Sequence, residues 1–351
     1  LRAAIEAEGP GTIVFDVSGR IVLQDRLIVR NPYMTIAGQT APGKGVCISN
    51  YNLGLLGAHD VIIRYIRVRP GDTAGKTLDG MGMASSGNSI FAHCSISWTQ
   101  DESFSSRAHC AGRNGSLAGG LDKAGRHTGR LDIRNNVVYN WDHRTTDGGA
   151  QQVNFVNNYY KPGPASRVFH LLKPERNRSF GPQDYYVAGN VMEGRFDANQ
   201  PLAGVLEPRD EPLKGFVYDA PFFESFVTTQ SAADAFENVL ADVGCNIPML
   251  DKHDRRVIEE TRAGTTTFVG SLSGKPGLPD SQTDVGGWEE YPEEHRPASW
   301  DTDGDGMPDA WEREQGFNPA DANDGPRDAN GDGYTNLETY LNSISPAAVS
   351  N

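Results

Sequence analysis

Five short segments of this chain overlay on one another: Ile63–Val68 (IRYIRV), Phe91–Ile96 (FAHCSI), Ile133–Val138 (IRNNVV), Phe155–Tyr160 (FVNNYY) and Val187–Met192 (VAGNVM). Each opens and closes on an apolar or aromatic residue, and the last three carry asparagine fourth, at Asn136, Asn158 and Asn190. Their first residues are 28, 42, 22 and 32 positions apart. Similar strands at unequal spacing are what a parallel β-helix produces, because each coil keeps its strands and varies its loops. A β-sandwich would instead show closer, more even strands joined by tight hairpin turns. The expected class is therefore all-β, with Asn136, Asn158 and Asn190 stacked at one corner and each amide bonded to the next coil. That role is structural rather than catalytic.

The rest of the chain fits a scaffold of this kind. Its 40 glycines and 21 prolines favour turn-rich β architecture over a helical bundle. Leu1–Glu8 reads as a short amphipathic helix stopped by Gly9 and Pro10, suited to covering the open end of a stack. Ser231–Val243 reads as a helix capped by Ser231, and Asp254–Arg262 as a second, both packing on the side or end of the coils. No apolar run reaches membrane-spanning length. The four cysteines are widely spaced and read as buried free thiols, not as a disulfide framework or zinc site. The chain begins at Leu1 and shows no signal peptide, which reads as a processed or trimmed N-terminus; a secreted, periplasmic or extracellular location is expected.

Charge divides the sequence. The net charge is −14, and residues 276–351 alone carry 17 acids against 3 arginines, so the remainder is neutral. Within that remainder, residues 107–178 hold 12 basic side chains against 5 acidic ones. A basic middle suits a polyanion and an acidic tail suits cations; nothing points to nucleic acid. Two units are expected, 1–290 as coils with a helical extension and 291–351 as an acidic module.

In the module, Asp301, Asp303, Asp305, Asp309 and Glu312 fall at positions 1, 3, 5, 9 and 12 of a calcium loop, with Gly306 at position 6 and Met307 offering its backbone carbonyl. Alternate oxygens wrap one ion, glycine permits the sharp turn and the last glutamate closes it. Asp328, Asn330, Asp332, Tyr334 (through its carbonyl) and Asn336 repeat the pattern, but position 12 is Thr339 and the acid Glu338 stands one residue early. The pair resembles the calcium-loop modules related to EF-hands and dockerins, which implies Ca²⁺ and a docking partner or a structural role.

The stretch Ala92–Arg113 carries the chemistry. It starts as a strand, presents the adjacent acids Asp101 and Glu102, and ends on Arg113. Carboxylates at one strand end and an arginine at another suit a hard cation beside a strong base, acting on an anionic sugar. Five isolated histidines (His93, His109, His127, His143, His170) are weaker rivals for the base. Trp98 and Trp141 are candidates for stacking on sugars, with packing the stronger reading for Trp98.

The segments FDVSGRI, MTIAGQTAPGKG, VIIRYIRVRPGD, HCSISWTQDESFS, NNVVYNW and VNFVNNYYKPGP together resemble bacterial pectate lyases of polysaccharide lyase family one, over roughly Leu1 to Gly287. The resemblance implies a right-handed parallel β-helix, Ca²⁺ dependence and β-elimination on polygalacturonate or pectin. It assigns Asp79 and Glu102 as calcium ligands with Asp101 adjacent, and Arg113 as the group that abstracts the proton. Lys123, Arg126, Arg130 and Arg144 are candidates for gripping other sugar carboxylates. The sequence departs from the pattern at Met81 and Ser106, where acids are usual, and in GSLAGG, which lacks a second arginine. Arg107 also runs directly into Ala108 where relatives have further coils. A chain step longer than 3.8 Å is expected there, with Arg113 roughly 5–12 Å from the acids. The alternatives are a pectin lyase acting without calcium, and a β-helix that binds polysaccharide without cleaving it.

Overall fold

A computed structural model describes residues 1–107, 129–148, 150–174, 181–208 and 211–344. The backbone winds in coils of short parallel strands. The first stack holds β1 (Gly11–Ile13), β2 (Gly19–Val22) and β3 (Leu27–Val29), then β4 (Met34–Ala37), β5 (Val46–Ser49) and β6 (Leu53–Leu56). Its third coil is β7 (Val61–Arg64), β8 (Arg67–Arg69) and β9 (Met81–Ala84), and its fourth β10 (Ile90–Ala92), β11 (Ser95–Ile96) and β12 (Phe104–Arg107). The second stack holds β13 (Arg130–Arg134), β14 (Val137–Tyr139) and β15 (Thr146–Gly148), then β16 (Gln152–Val156), β17 (Tyr159–Lys161) and β18 (Leu172–Pro174), and finally β19 (Asp184–Ala188), β20 (Val191–Met192) and β21 (Val217–Tyr218).

Every ladder between named strands is parallel, and equivalent strands of successive coils pair: β1-β4-β7-β10, β2-β5-β8-β11 and β3-β6-β9-β12 in the first stack, β13-β16-β19-β21, β14-β17-β20 and β15-β18 in the second. The fold is a parallel β-helix. The overlaid segments meet in the register the sequence suggested, Ile63 opposite Phe91, and Phe155 between Ile133 and Val187. Alternate residues point inward, so Met34 and Ile36 stack on Val61 and Ile63 in one apolar core, while Val153, Phe155, Tyr185 and Val187 line the other.

The asparagine ladder forms. Asn136 Nδ2 donates to Asn158 Oδ1 at 2.8 Å, and Asn158 Nδ2 to Asn190 Oδ1 at 2.8 Å. The residue before each of them, Asn135, Asn157 or Gly189, has φ between 53° and 65°. This left-handed corner favours Asn and Gly. At Gly189 the choice is also steric, because a Cβ there would lie 1.7 Å from Asn157 Oδ1.

Among the described residues no ladder joins β10–β12 to β13–β15. The two stacks are instead bridged by the helices that follow. α1 (Arg2–Glu6) packs on β3 and buries Ile5 in the first core. α2 (Ala232–Ala241), capped by Ser231, lies against β14 and β17, with Phe236 4.6 Å from the Tyr159 ring. Asp242, just beyond α2, reaches back to His93 of the first stack at 4.0 Å. α3 (Lys252–Ala263) has its first turn fixed on β8: its cap Asp251 and Asp254 pair with Arg67 and Arg69, both buried. Its other end holds the second stack, where Lys161 donates to the Arg262 carbonyl at 2.9 Å and Tyr139 to the Thr265 carbonyl at 2.7 Å.

The acidic module comprises two loops followed by α4 (Asp309–Gln315) and α5 (Asn336–Ser343). Met307, Tyr340 and Leu341 share an apolar cluster with Ala37 of β4, and Val14 packs against it. Arg64 of β7 donates to Asn342 Oδ1 at 2.9 Å. The module is thus seated on the first stack, not held away from it by a linker.

Candidate functional site

The acids named from the sequence converge because two coils stack. Gly80 N–H donates to the Glu102 carbonyl at 3.1 Å, Met81 N–H to that of Ser103 at 3.0 Å and Gln100 N–H to that of Leu78 at 3.1 Å. Residues 78–81 therefore lie alongside 100–103, one coil away, and the β9–β12 ladder continues that register from Met81 and Phe104. Gly80 makes the approach feasible, since a Cβ there would lie 2.2 Å from Ile96 Cγ2 and 2.8 Å from the Ser103 carbonyl. Asp79, Asp101 and Glu102 each bring a carboxylate oxygen within 4.8 Å of the others. Ser105 Oγ donates to Asp79 Oδ2 at 2.7 Å and sets its orientation.

Asp101 and Glu102 are exposed and Asp79 half-buried, so the cluster opens to solvent on one side. The Glu102 amide pulls its own carboxyl pKa down. Desolvation and the charges of Asp101 and Asp79 outweigh that, and Glu102 sits above its ordinary value. Three hard oxygen donors that repel one another are a fit for a divalent cation such as Ca²⁺. Met81, where the resembled family has an acid, is fully buried in the core and adds nothing to the cluster.

Arg113, Lys123 and Arg126 lie outside the described residues, as do His109, His127 and Ala108 of the Arg107–Ala108 junction. Arg144 is exposed in the loop between β14 and β15. Arg130 Nε donates to Gln152 Oε1 at 3.2 Å and its guanidinium lies over Phe223. The described histidines have structural partners: His93 stacks on Tyr65 at 4.9 Å, His143 bonds Asp142 and His170 approaches Asp147. Both tryptophans are packed, Trp98 among Arg69, His253 and Trp288, and Trp141 in the second core with its indole N–H on the Val168 carbonyl.

The two acidic loops share one backbone design. Asp301 accepts from Gly304 and Gly306 N–H, and Asp328 from Gly331 and Gly333 N–H. Asp303, Asp305, Asn330 and Asp332 each accept from the amide two residues on. They differ in their closing groups. In the first loop, Asp301, Asp303 and Asp305 have oxygens within 4.8 Å of one another, and so do Asp305, Glu312 and Asp324. Glu312 has no solvent exposure, and neither of its carboxylate oxygens has a hydrogen-bond partner. Burial, reinforced by neighbouring carboxylates, raises Glu312 to about 7 and Asp305 to about 6. Uncompensated buried carboxylates are costly, so this set fits a bound cation. Met307 buries its side chain beneath the loop.

Asp309 is turned elsewhere: it accepts from Thr302 N–H and Oγ1 and pairs with Arg313. Asn336 does the same in the second loop, accepting from Ala329 N–H at 3.2 Å. Glu338 caps α5, accepting from both the amide and the hydroxyl of Thr335. Tyr334 is exposed and donates its amide to Asp332. Asp324 was not singled out in the sequence. It lies outside both twelve-residue patterns, and only its burial among carboxylates reveals it.

No protein-family model matches the chain. Among curated proteins it is similar to "Probable pectate lyase C" of Aspergillus flavus, 29% identical over 384 positions covering 99% of this chain and 87% of that protein. The same-named proteins of Neosartorya fischeri and Emericella nidulans are 28% and 29% identical, covering 99% of this chain and 86% and 85% of theirs. The first match spans more positions than the 351 residues of this chain, so that relative carries segments without a counterpart here. The likeness covers nearly the whole chain and, together with the parallel β-helix, supports an enzyme of the lyase class. Among the described residues, no helix is long and apolar enough to cross a membrane.

Proposed function

We propose that the chain is a secreted, calcium-dependent pectate lyase that cleaves polygalacturonate by β-elimination. The observation that carries this reading is the convergence of Asp79, Asp101 and Glu102 across two coils, with oxygens within 4.8 Å. Elimination removes the C5 proton beside the C6 carboxylate. The C5–H electron pair becomes the C4=C5 double bond, the C4–O bond breaks, and the departing oxygen takes a proton. The C6 carboxylate makes that C–H a weak acid, and Ca²⁺ held by the three carboxylates would supply the neutralising charge. Asp79, fixed by Ser105, and Glu102 hold the position; Arg113 accepts the C5 proton.

A neutral arginine is demanding, because its ordinary pKa exceeds 12, and a neighbouring cation together with desolvation favours that form. Lys123, Arg126 and Arg144 would pair with carboxylates of adjoining sugars. In the tail, Asp301, Asp303, Asp305 and Glu312 would hold a second Ca²⁺, with Asp328, Asn330 and Asp332 a weaker third site. The three converging carboxylates favour pectate over methylated pectin as substrate, because a cation held there would be shared with a free sugar carboxylate.

The test is cleavage of polygalacturonate, followed by ultraviolet absorbance of the unsaturated product. Calcium should be required, a chelator should stop the reaction, and methylated pectin should be cleaved poorly. Arg113→Lys should lower turnover about 10²-fold or more while leaving oligogalacturonate binding nearly unchanged. Full activity of Arg113→Lys would remove the arginine from the base role, and calcium-independent cleavage of methylated pectin would favour a pectin lyase.

A further inference from the structure

The first acidic loop contains more than its own sequence supplies. Asp324 belongs to the linker before the second loop, twelve residues past Glu312, yet its carboxylate reaches those of Asp305 and Glu312 within 4.8 Å. It is 6% exposed, and its Oδ1 has no hydrogen-bond partner, as is true of Asp303 Oδ2, Asp305 Oδ2 and both oxygens of Glu312. The backbone is shaped for this approach: a Cβ on Gly325 would lie 2.7 Å from Asp305 Oδ2. A glycine beside Asp324 lets the linker press against the loop. Buried carboxylates drawn this close, with oxygens left unpartnered, fit a cation held between them.

The same linker is tied to α5. The Asp324 carbonyl accepts from Asn336 Nδ2 at 2.8 Å, the Gly325 carbonyl from Leu337 N–H at 3.1 Å and the Arg327 carbonyl from Asn336 N–H at 2.7 Å. α5 carries Tyr340 and Leu341 onto Ala37, and Asn342 onto Arg64. Met307, inside the first loop, enters the same cluster. One ion at the first loop would therefore fasten loop, linker and α5 to each other and to the outer side of the first stack.

We propose that Asp324 is a ligand of a calcium ion in the first loop, and that this ion is a latch holding the C-terminal module on the β-helix, distinct from any ion used in catalysis. The proposal rests on reading residues 301–312 as a calcium loop. It assigns the closing ligand to the linker, and it gives the module a work partner in its own solenoid.

The test uses the full chain carrying Asp79→Asn and Glu102→Gln, so that the catalytic cluster does not obscure the tail. Calorimetric titration with Ca²⁺ should show one tight site. Adding Asp324→Asn should weaken it at least tenfold, whereas Asp321→Asn, a half-buried neighbour paired with Arg327, should not. Without calcium, Asp324→Asn should melt no lower than its parent, because it relieves repulsion; with calcium it should lose most of the melting-temperature gain. Hydrogen exchange at Leu341 and Asn342 should slow on adding calcium in the parent, and not in Asp324→Asn. Binding by Asp324→Asn within twofold of the parent overturns the ligand assignment, and calcium-independent exchange at α5 overturns the latch. Absence of any calcium binding in the parent overturns the loop reading itself, and with it this proposal, while the lyase assay stands separately.

Discussion

Replacing Asp79 by Asn and Glu102 by Gln together should lower turnover of polygalacturonate about 10³-fold or more, with the fold intact. The substitutions keep side-chain size and remove two of the three charges that converge on one point. The cluster's open, partly exposed setting means no buried core is disturbed. Relief of like-charge repulsion, visible in the raised pKa of Glu102, should leave calcium-free stability unchanged or slightly higher. The loss should fall on kcat, since transition-state charge is what the cation offsets. Initial rates over a calcium titration, with melting curves beside them, provide the check. The single substitution Asp79→Asn should be partly rescued by excess calcium, and the double should not. Near-normal rates from a correctly folded double variant would place the chemistry elsewhere.

The largest effect on stability should come from Asp251→Ala. Asp251 caps α3 and lies against Arg67 and Arg69, with Tyr291 donating to it as well. The two arginines have almost no exposure, and 182 residues separate Arg69 from Asp251 in sequence. Removing the acid leaves two buried guanidinium groups with Asp254 in place of two carboxylates, and breaking a buried pair in this way costs about 3–5 kcal/mol. It also loosens the helix that bridges the stacks, so unfolding should lose cooperativity. Chemical denaturation monitored at the tryptophans gives the value.

The pH dependence has a definite sign. Burial alone would raise Asp251, but Arg69 and its hydrogen bonds outweigh that and hold its folded pKa well below the usual range. Its stabilisation is therefore complete above the ordinary carboxylate pKa of about 4 and is lost as pH falls below it. Asp254, raised mainly by burial despite Arg69, acts oppositely: its folded form favours the proton, so it opposes stability as pH rises through its folded value. Wild-type stability should thus fall below about pH 4 more steeply than that of Asp251→Ala.

The coils were legible because their signal is local. Overlaying five segments gave the actual register of Ile63 with Phe91 and of Ile133, Phe155 and Val187, and the corner asparagines bond as their spacing implied. The acid cluster was half-legible: Asp101 and Glu102 are adjacent, but only the family resemblance linked them to Asp79, one coil earlier. Contacts across long separations left no mark. Nothing in the sequence joins Arg69 to Asp251, and nothing in a twelve-residue motif indicates Asp324. Motif counting also assigns roles by position alone. Asp309 and Asn336 sit at the ninth position, yet both tie back to the second residue of their loops, and Glu338 serves as a helix cap.

The most direct test of the central claim is crystallography of the calcium-loaded enzyme, with a lanthanide in place of calcium for anomalous scattering. The account predicts one ion bonded to oxygens of Asp79, Asp101 and Glu102 at about 2.3–2.6 Å for calcium. Crystals of active, calcium-dependent enzyme with an ion bound elsewhere and none at these three carboxylates would contradict it.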